Sequence, residues 1–228
     1  MSPGKLAVQT LVVTIAAVVV YAALLFVSAG TINYWQAWVF LVVFVVSTSA
    51  TVIYLAVRDP ALLERRLKGG PTREPRPLQR ILISLCMLSF LAVLVVSGLD
   101  HRFIWSQVSP IVSVVGDLLV ALGCFINFVV FRVNPYGAST IQVVEGQMVI
   151  STGPYRIVRH PMYVGDLVMV GGTPLALGSW WSLLALVVTT PAVIWRILDE
   201  EALLRSELSG YTKYAQHVRY RLYRLSGR

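Results

Sequence analysis

The sequence predicts an all-α integral membrane protein: a bundle of five to six transmembrane helices, a C-terminal helical hairpin and an amphipathic cytoplasmic tail helix. Three observations carry that prediction. Of 228 residues, 57% are hydrophobic and 13% charged, against about 45–50% apolar and about 25% charged in a soluble domain. The apolar residues run in stretches close to the roughly 20 residues that a bilayer-spanning helix needs. The charges are gathered between those stretches. This composition excludes a disordered chain, a collagen and a solvated globular enzyme. A net charge of +8 would suggest nucleic acid in a soluble protein, but basic blocks between apolar stretches are topology signals, so no nucleic-acid partner is expected.

Leu6 to Ser28 is free of charge. It is longer than the 7–15-residue core of a signal peptide and reads as a retained first span. Tyr34 to Val57 is the second, led by Trp35 and Trp38, which suit the headgroup level. Ile81 to Leu99 is the third and Ile111 to Phe131 the fourth. Asp117 falls within the fourth, where a charge is expected to face the bundle interior. Met162 to Leu198 is too long for one crossing and is interrupted at Gly171-Gly172-Thr173-Pro174 and at Gly178-Ser179. It reads as a tight hairpin of fifth and sixth spans, with Pro174 and Pro191 as the places for kinks. Two regions of one structural unit follow, a four-span bundle over 1–131 and a region over 132–228 that carries the hairpin and the tail helix and that a family resemblance, given below, implies is cofactor-binding.

Lys and Arg counted by segment place 18 on the side of both termini and one, Arg102, on the other. The asymmetry predicts a multi-pass protein with both termini in the cytoplasm. Cys86 and Cys124 lie in apolar segments without partners at metal-ligand spacing. They read as packing residues, and no metal is expected.

Residues of unusual chemistry cluster after the fourth span. Ile141 to Ile150 suggests two extended pieces about a turn at Glu145-Gly146. The run Arg159-His160-Pro161-Met162-Tyr163-Val164-Gly165-Asp166 follows. A residue before proline is biased away from helical angles, and proline suits the first helical position. A helix is therefore expected to start at Pro161, its positive end beside Arg159 and His160, an arrangement suited to an anion. The sixth span returns to this side and ends in Asp199-Glu200-Glu201, carboxylates where the dipole rule prefers cations. Brought together, the two ends would offer cations to a carboxylate and carboxylates to an ammonium or sulfonium. The alternative is an Arg–Glu pair that only pins the hairpin. Beyond it, Leu204, Leu208, Tyr211, Ala215, Val218, Leu222 and Leu225 form one apolar helical stripe, bent or broken at Gly210. It reads as an amphipathic helix on anionic membrane lipid, a reading that also allows a lid over the site.

Over roughly residues 130–225 the chain resembles the isoprenylcysteine carboxyl methyltransferase family and its phospholipid N-methyltransferase relatives. The resemblance rests on RHPMYVG at Arg159 to Gly165 and the pair Glu200-Glu201 after a hydrophobic hairpin. Gly153-Pro154-Tyr155 upstream and Tyr211 and Tyr214 after Gly210 add to it. It implies an S-adenosylmethionine site at the cytoplasmic membrane face. Arg159, His160, Pro161, Tyr163 and Glu200 or Glu201 would hold the cofactor, with Tyr155 and Gln142 as further candidates. Arg196, Glu201 and Tyr163 are the residues expected to act in the transfer. The acceptor would be a lipophilic or lipidated molecule entering sideways from the bilayer. A carboxylate acceptor would need only an orienting cation, such as Arg132, Arg156 or Arg196. An amine would need a base, such as Glu201 or Asp166. The RHPMYVGD continuation and Val218-Arg219-Tyr220-Arg221 also look like NADPH-dependent membrane sterol reductases, and a non-catalytic membrane assembly protein is a further alternative.

Overall fold

Five stretches are long and apolar enough to cross a membrane: Gly4–Ala29, Trp35–Arg58, Pro77–Phe103, Pro110–Val133 and Trp181–Glu207. They belong to a computed structural model that describes residues 2–137, 143 and 146–223. In chain order the helices are α1 (Pro3–Ala29), α2 (Trp35–Arg58), α3 (Pro60–Leu67), α4 (Pro77–Phe103), α5 (Pro110–Val133), α6 (Pro161–Ala176), α7 (Leu186–Glu207) and α8 (Tyr211–His217). No strand occurs among the described residues. Of the two extended pieces expected near 141–150, Ile141, Gln142, Val144 and Glu145 lie outside the described residues; Gly146 adopts a φ of 74°, as a turn there requires. Proline opens α1, α3, α4, α5 and α6, where its missing N–H would have had no intrahelical partner anyway.

The expected tight hairpin opens out. α6 packs along α5, whereas α7 packs along α4. Glycine explains the first pairing. A Cβ on Gly116 would lie 2.1 Å from the Ala176 nitrogen, and one on Gly123 would lie 2.5 Å from the Gly165 carbonyl oxygen. From the other side, Gly165 and Gly172 would meet Asn127 at 2.5 Å and Leu119 at 2.7 Å. Small residues at such a seam let helix backbones approach closely in a bilayer, where no hydrophobic force drives helices together. The interruption expected at Gly171–Pro174 therefore does not occur. Those residues remain helical, and the chain breaks only at Leu177-Gly178-Ser179, with Gly178 at a φ of 67°.

With 16 residues, α6 spans about 24 Å and still joins the two ends of the bundle. Its first turn lies beside α7 at Glu201. Past its last turn, the Leu177 carbonyl accepts from the Tyr34 hydroxyl at the start of α2. At this second end, Asp100 accepts 2.7 Å bonds from both the amide and the hydroxyl of Ser106, and a further bond from the Ser179 hydroxyl. Exposed Trp35, Trp38, Trp105, Trp180 and Trp181 surround it, as an interfacial aromatic belt would.

Two sequence expectations need correction at the other end. Asp199, Glu200 and Glu201 do not terminate their helix: α7 continues to Glu207, with Arg205 in its last turn. The apparent conflict with the dipole was one of boundary placement. The tail stripe is likewise not one continuous helix. Gly210 takes a φ of 85°, α8 ends at His217, and Val218 to Tyr223 is non-helical. The apolar face of α8, formed by Tyr211, Tyr214 and Ala215, packs with Leu208 against Val143, Val149 and Tyr155. Leu225 lies outside the described residues.

Candidate active site

The start of α6 organises this end. His160 precedes Pro161 at φ −125° and ψ 62°, the non-helical conformation that proline imposes on its neighbour. The backbone N–H groups of Arg159 and His160 donate to the carbonyls of Tyr220 (2.9 Å) and Arg221 (3.0 Å). The tail thus returns as an extended strap alongside the helix start. Arg159 also donates from Nη1 to the Ala215 carbonyl at 3.2 Å, tying the strap's approach through α8.

Glu201 is the hub of this arrangement. Its Oε1 stands 2.8 Å from Arg159 Nε and 3.2 Å from His160 Nε2, while Oε2 accepts from Arg221 Nε at 3.1 Å. Arg205, one turn along α7, stands 3.9 Å away. One carboxylate therefore joins α6, α7 and the strap. A buried charge is tolerated when several partners satisfy it at once, and is costly otherwise.

Glu200 points elsewhere. It accepts from the Tyr163 hydroxyl at 2.7 Å, and that hydroxyl accepts from Arg196 Nε at 3.0 Å. Arg196 Nη1 donates to Gln79 of α4 at 2.9 Å. Gln79 in turn donates to Asp199, which Arg76 contacts at 2.8 Å. Gln79 and Arg76 escaped the sequence reading because both lie outside the apolar window taken as the third span, whereas Asp199 was marked there only as one of three carboxylates. The partners of Gln79 are about 120 positions away, beyond any periodicity.

A single cavity of about 680 Å³ links this polar end to the bundle interior. Tyr155, Arg159, His160, Tyr163, Arg196, Glu200, Tyr211 and Tyr214 line its polar part. Asn127 and Asp166 line its middle, bonded to each other at 2.8 Å with the amide donating. Phe44, Cys86, Phe90, Cys124, Met169 and Val170 line its apolar depth. Burial raises the pKa of three phenols outside the spans. Tyr155 is pushed up to about 12, and Tyr211 and Tyr214 also stand well above the ordinary value. Tyr155 accepts from Asn134 at 2.6 Å, and its carbonyl accepts from Tyr214 at 2.8 Å. The Tyr211 hydroxyl is buried without a hydrogen-bond partner among the described residues.

The structure thus brings Tyr155, Arg159, His160, Tyr163, Arg196 and Glu200 onto one cavity wall. Pro161 and Glu201 lie behind that wall, the first as helix starter and the second as hub. Gln142 lies outside the described residues. Arg132 and Arg156 do not line the cavity; Arg132 instead lies over the rings of Tyr54 and Phe128. Among the described residues no three His, Cys, Asp or Glu side chains are grouped to hold a metal ion.

Residues 111–209 match the phospholipid methyltransferase family. The matched stretch runs from α5 through α7 and contains Asn127, Tyr155, Arg159, His160, Tyr163, Asp166, Arg196 and the Glu200-Glu201 pair. It supports a membrane methyltransferase. None of the curated proteins compared with the chain matches it.

Proposed function

We propose that this protein is an S-adenosylmethionine-dependent methyltransferase acting on an amine of a lipophilic acceptor at the cytoplasmic membrane face. The continuity of the cavity carries this reading: one chamber offers charged and phenolic groups at its end and an apolar lining in its depth. A water-soluble donor and a lipid can meet there without either leaving its own medium. The residues present suit such a donor. The unpartnered Tyr211 hydroxyl is a buried group awaiting a ligand acceptor or donor, and Glu200 beside Arg159 and His160 offers opposite charges to a zwitterion. When bound, S-adenosylmethionine supplies an electrophilic methyl group.

The chain's own residues do the rest. Arg159 presents a cation at the start of α6 beside the His160 imidazole, both held in place by Glu201 from behind. Glu200, fixed through Tyr163, presents a carboxylate on the cavity wall. Tyr155, Tyr211 and Tyr214 stay protonated and line the polar end. Alignment of acceptor and donor supplies most of the rate for such a transfer, and the apolar depth fixes the acceptor's chain.

Asp166 favours an amine. It lines the same cavity, and a base there would take the proton that an ammonium acceptor must lose. Of the three cations nominated to orient a carboxylate acceptor, two lie off the cavity and Arg196 is engaged with Tyr163 and Gln79. The basic segments flanking the site end, against Arg102 at the other, support its cytoplasmic placement.

Calorimetric titration of the purified protein in detergent tests the reading. Saturable binding of S-adenosylhomocysteine and none of NADPH is expected. NADPH binding alone would overturn the proposal in favour of a reductase.

A further inference from the structure

The end of the bundle remote from the cavity holds a second polar cluster with no role in methyl transfer. Ser113 is fully buried and Asp117 is 5% exposed, yet among the described residues the Ser113 hydroxyl and both Asp117 carboxylate oxygens lack hydrogen-bond partners. The side-chain oxygen of Gln36 is buried and unpartnered as well. A Cβ built on Gly178 would stand 3.2 Å from the Gln36 amide nitrogen and 3.6 Å from the Ser113 hydroxyl, so these two side chains converge on the turn that ends α6. Asp117 lies one helical turn deeper than Ser113 on the same face of α5, at a spacing that makes them neighbours. Its carboxylate forms no ion pair with a described Lys, Arg or His. Asp100, at the same end, by contrast accepts bonds from Ser106 and Ser179.

We propose that Gln36, Ser113 and Asp117 bind a sodium ion. The donor set is all oxygen, which selects a hard cation. A single carboxylate balances one positive charge, whereas calcium and magnesium sites draw on more oxygen ligands or retained water. The C-terminal end of α6 points its negative dipole end into the same region, as interrupted membrane helices do where they coordinate sodium. This site is independent of the methyltransferase reading.

The test is the thermal unfolding midpoint of the full chain in detergent, at constant ionic strength, with sodium, potassium or N-methylglucamine as the chloride salt. Wild type should gain about 5 °C, saturably, in sodium alone, the size expected when a ligand fills a native-state site in a chain of this length. Asp117→Asn should abolish that response and raise the midpoint in sodium-free buffer, because it removes an uncompensated buried charge. Ser113→Ala, which keeps the carboxylate, should shift the sodium midpoint to higher concentration and covers the case in which Asp117→Asn does not accumulate. Equal midpoints in all three salts would overturn the proposal. So would a midpoint that responds only to pH, which would mark Asp117 as simply protonated.

Discussion

Replacing Glu201 by glutamine separates the two adjacent glutamates, whose roles the sequence alone left joined. Glutamine keeps the shape and one acceptor but removes the charge that faces Arg159, His160 and Arg221. Arg159 is decisive, because its side chain is 5% exposed beside a Glu201 that is 3% exposed. Arg221 and Arg205 are 29% and 44% exposed, and water screens such pairs to about 1 kcal/mol or less. Leaving one buried charge uncompensated costs about 3–5 kcal/mol. At about 2–4 °C per kcal/mol for a chain of this size, Glu201→Gln should lower the thermal unfolding midpoint by roughly 10 °C. Glu200→Gln keeps an acceptor for the Tyr163 hydroxyl and should cost about 1 kcal/mol or less, while weakening S-adenosylhomocysteine binding at least tenfold. Both quantities are read on the same detergent-purified samples, by scanning fluorimetry and calorimetric titration. The reasoning is refuted if Glu201→Gln unfolds within 2 °C (about one half kcal/mol) of wild type and Glu200→Gln is the destabilised variant.

The glycine seam makes a second prediction: Gly123→Ala should cost about 1–3 kcal/mol through overpacking, whereas Gly171→Ala, with nothing within 4 Å of its Cβ, should leave the unfolding midpoint unchanged or slightly raised. Asp166→Asn should retain S-adenosylhomocysteine binding within about threefold yet lose amine methylation by about 100-fold or more, the scale of a lost general base. Transfer assays with lipid amines against the same variant check this, and undiminished turnover would remove Asp166 from the chemistry.

Much of the bundle was legible because spans depend on local composition, which a window of residues reports. The start of α6 at Pro161 was equally legible, since proline constrains both itself and His160. The parting of α6 from α7 was not. Their separation depends on Gly116 and Gly123 of one helix meeting Gly165 and Gly172 of another, and glycine in an apolar stretch reads as an interruption until its partner is known. The polar end was half visible. Arg159, His160 and the glutamate pair stood out by polarity within apolar surroundings, and Tyr163 by its place in the run that follows Pro161. Which glutamate faces the cavity depends on the rotation of α7, set by Gln79 and Arg76 gripping Asp199 from α4. The strap was invisible for a different reason: it bonds through backbone carbonyls, which every residue carries, so no side-chain pattern marks Tyr220 or Arg221 as partners of Arg159 and His160.

That strap also imposes an order in time. Arg159 and His160 leave the ribosome about 60 residues ahead of the carbonyls that receive their N–H groups, an interval of several seconds at about 5–20 residues per second. During it α6 and α7 must find their places in the bilayer with the helix start still bare. The chamber gains Tyr211 and Tyr214 only when the tail folds back, so the lining of its polar end is completed after α6 and α7 have emerged.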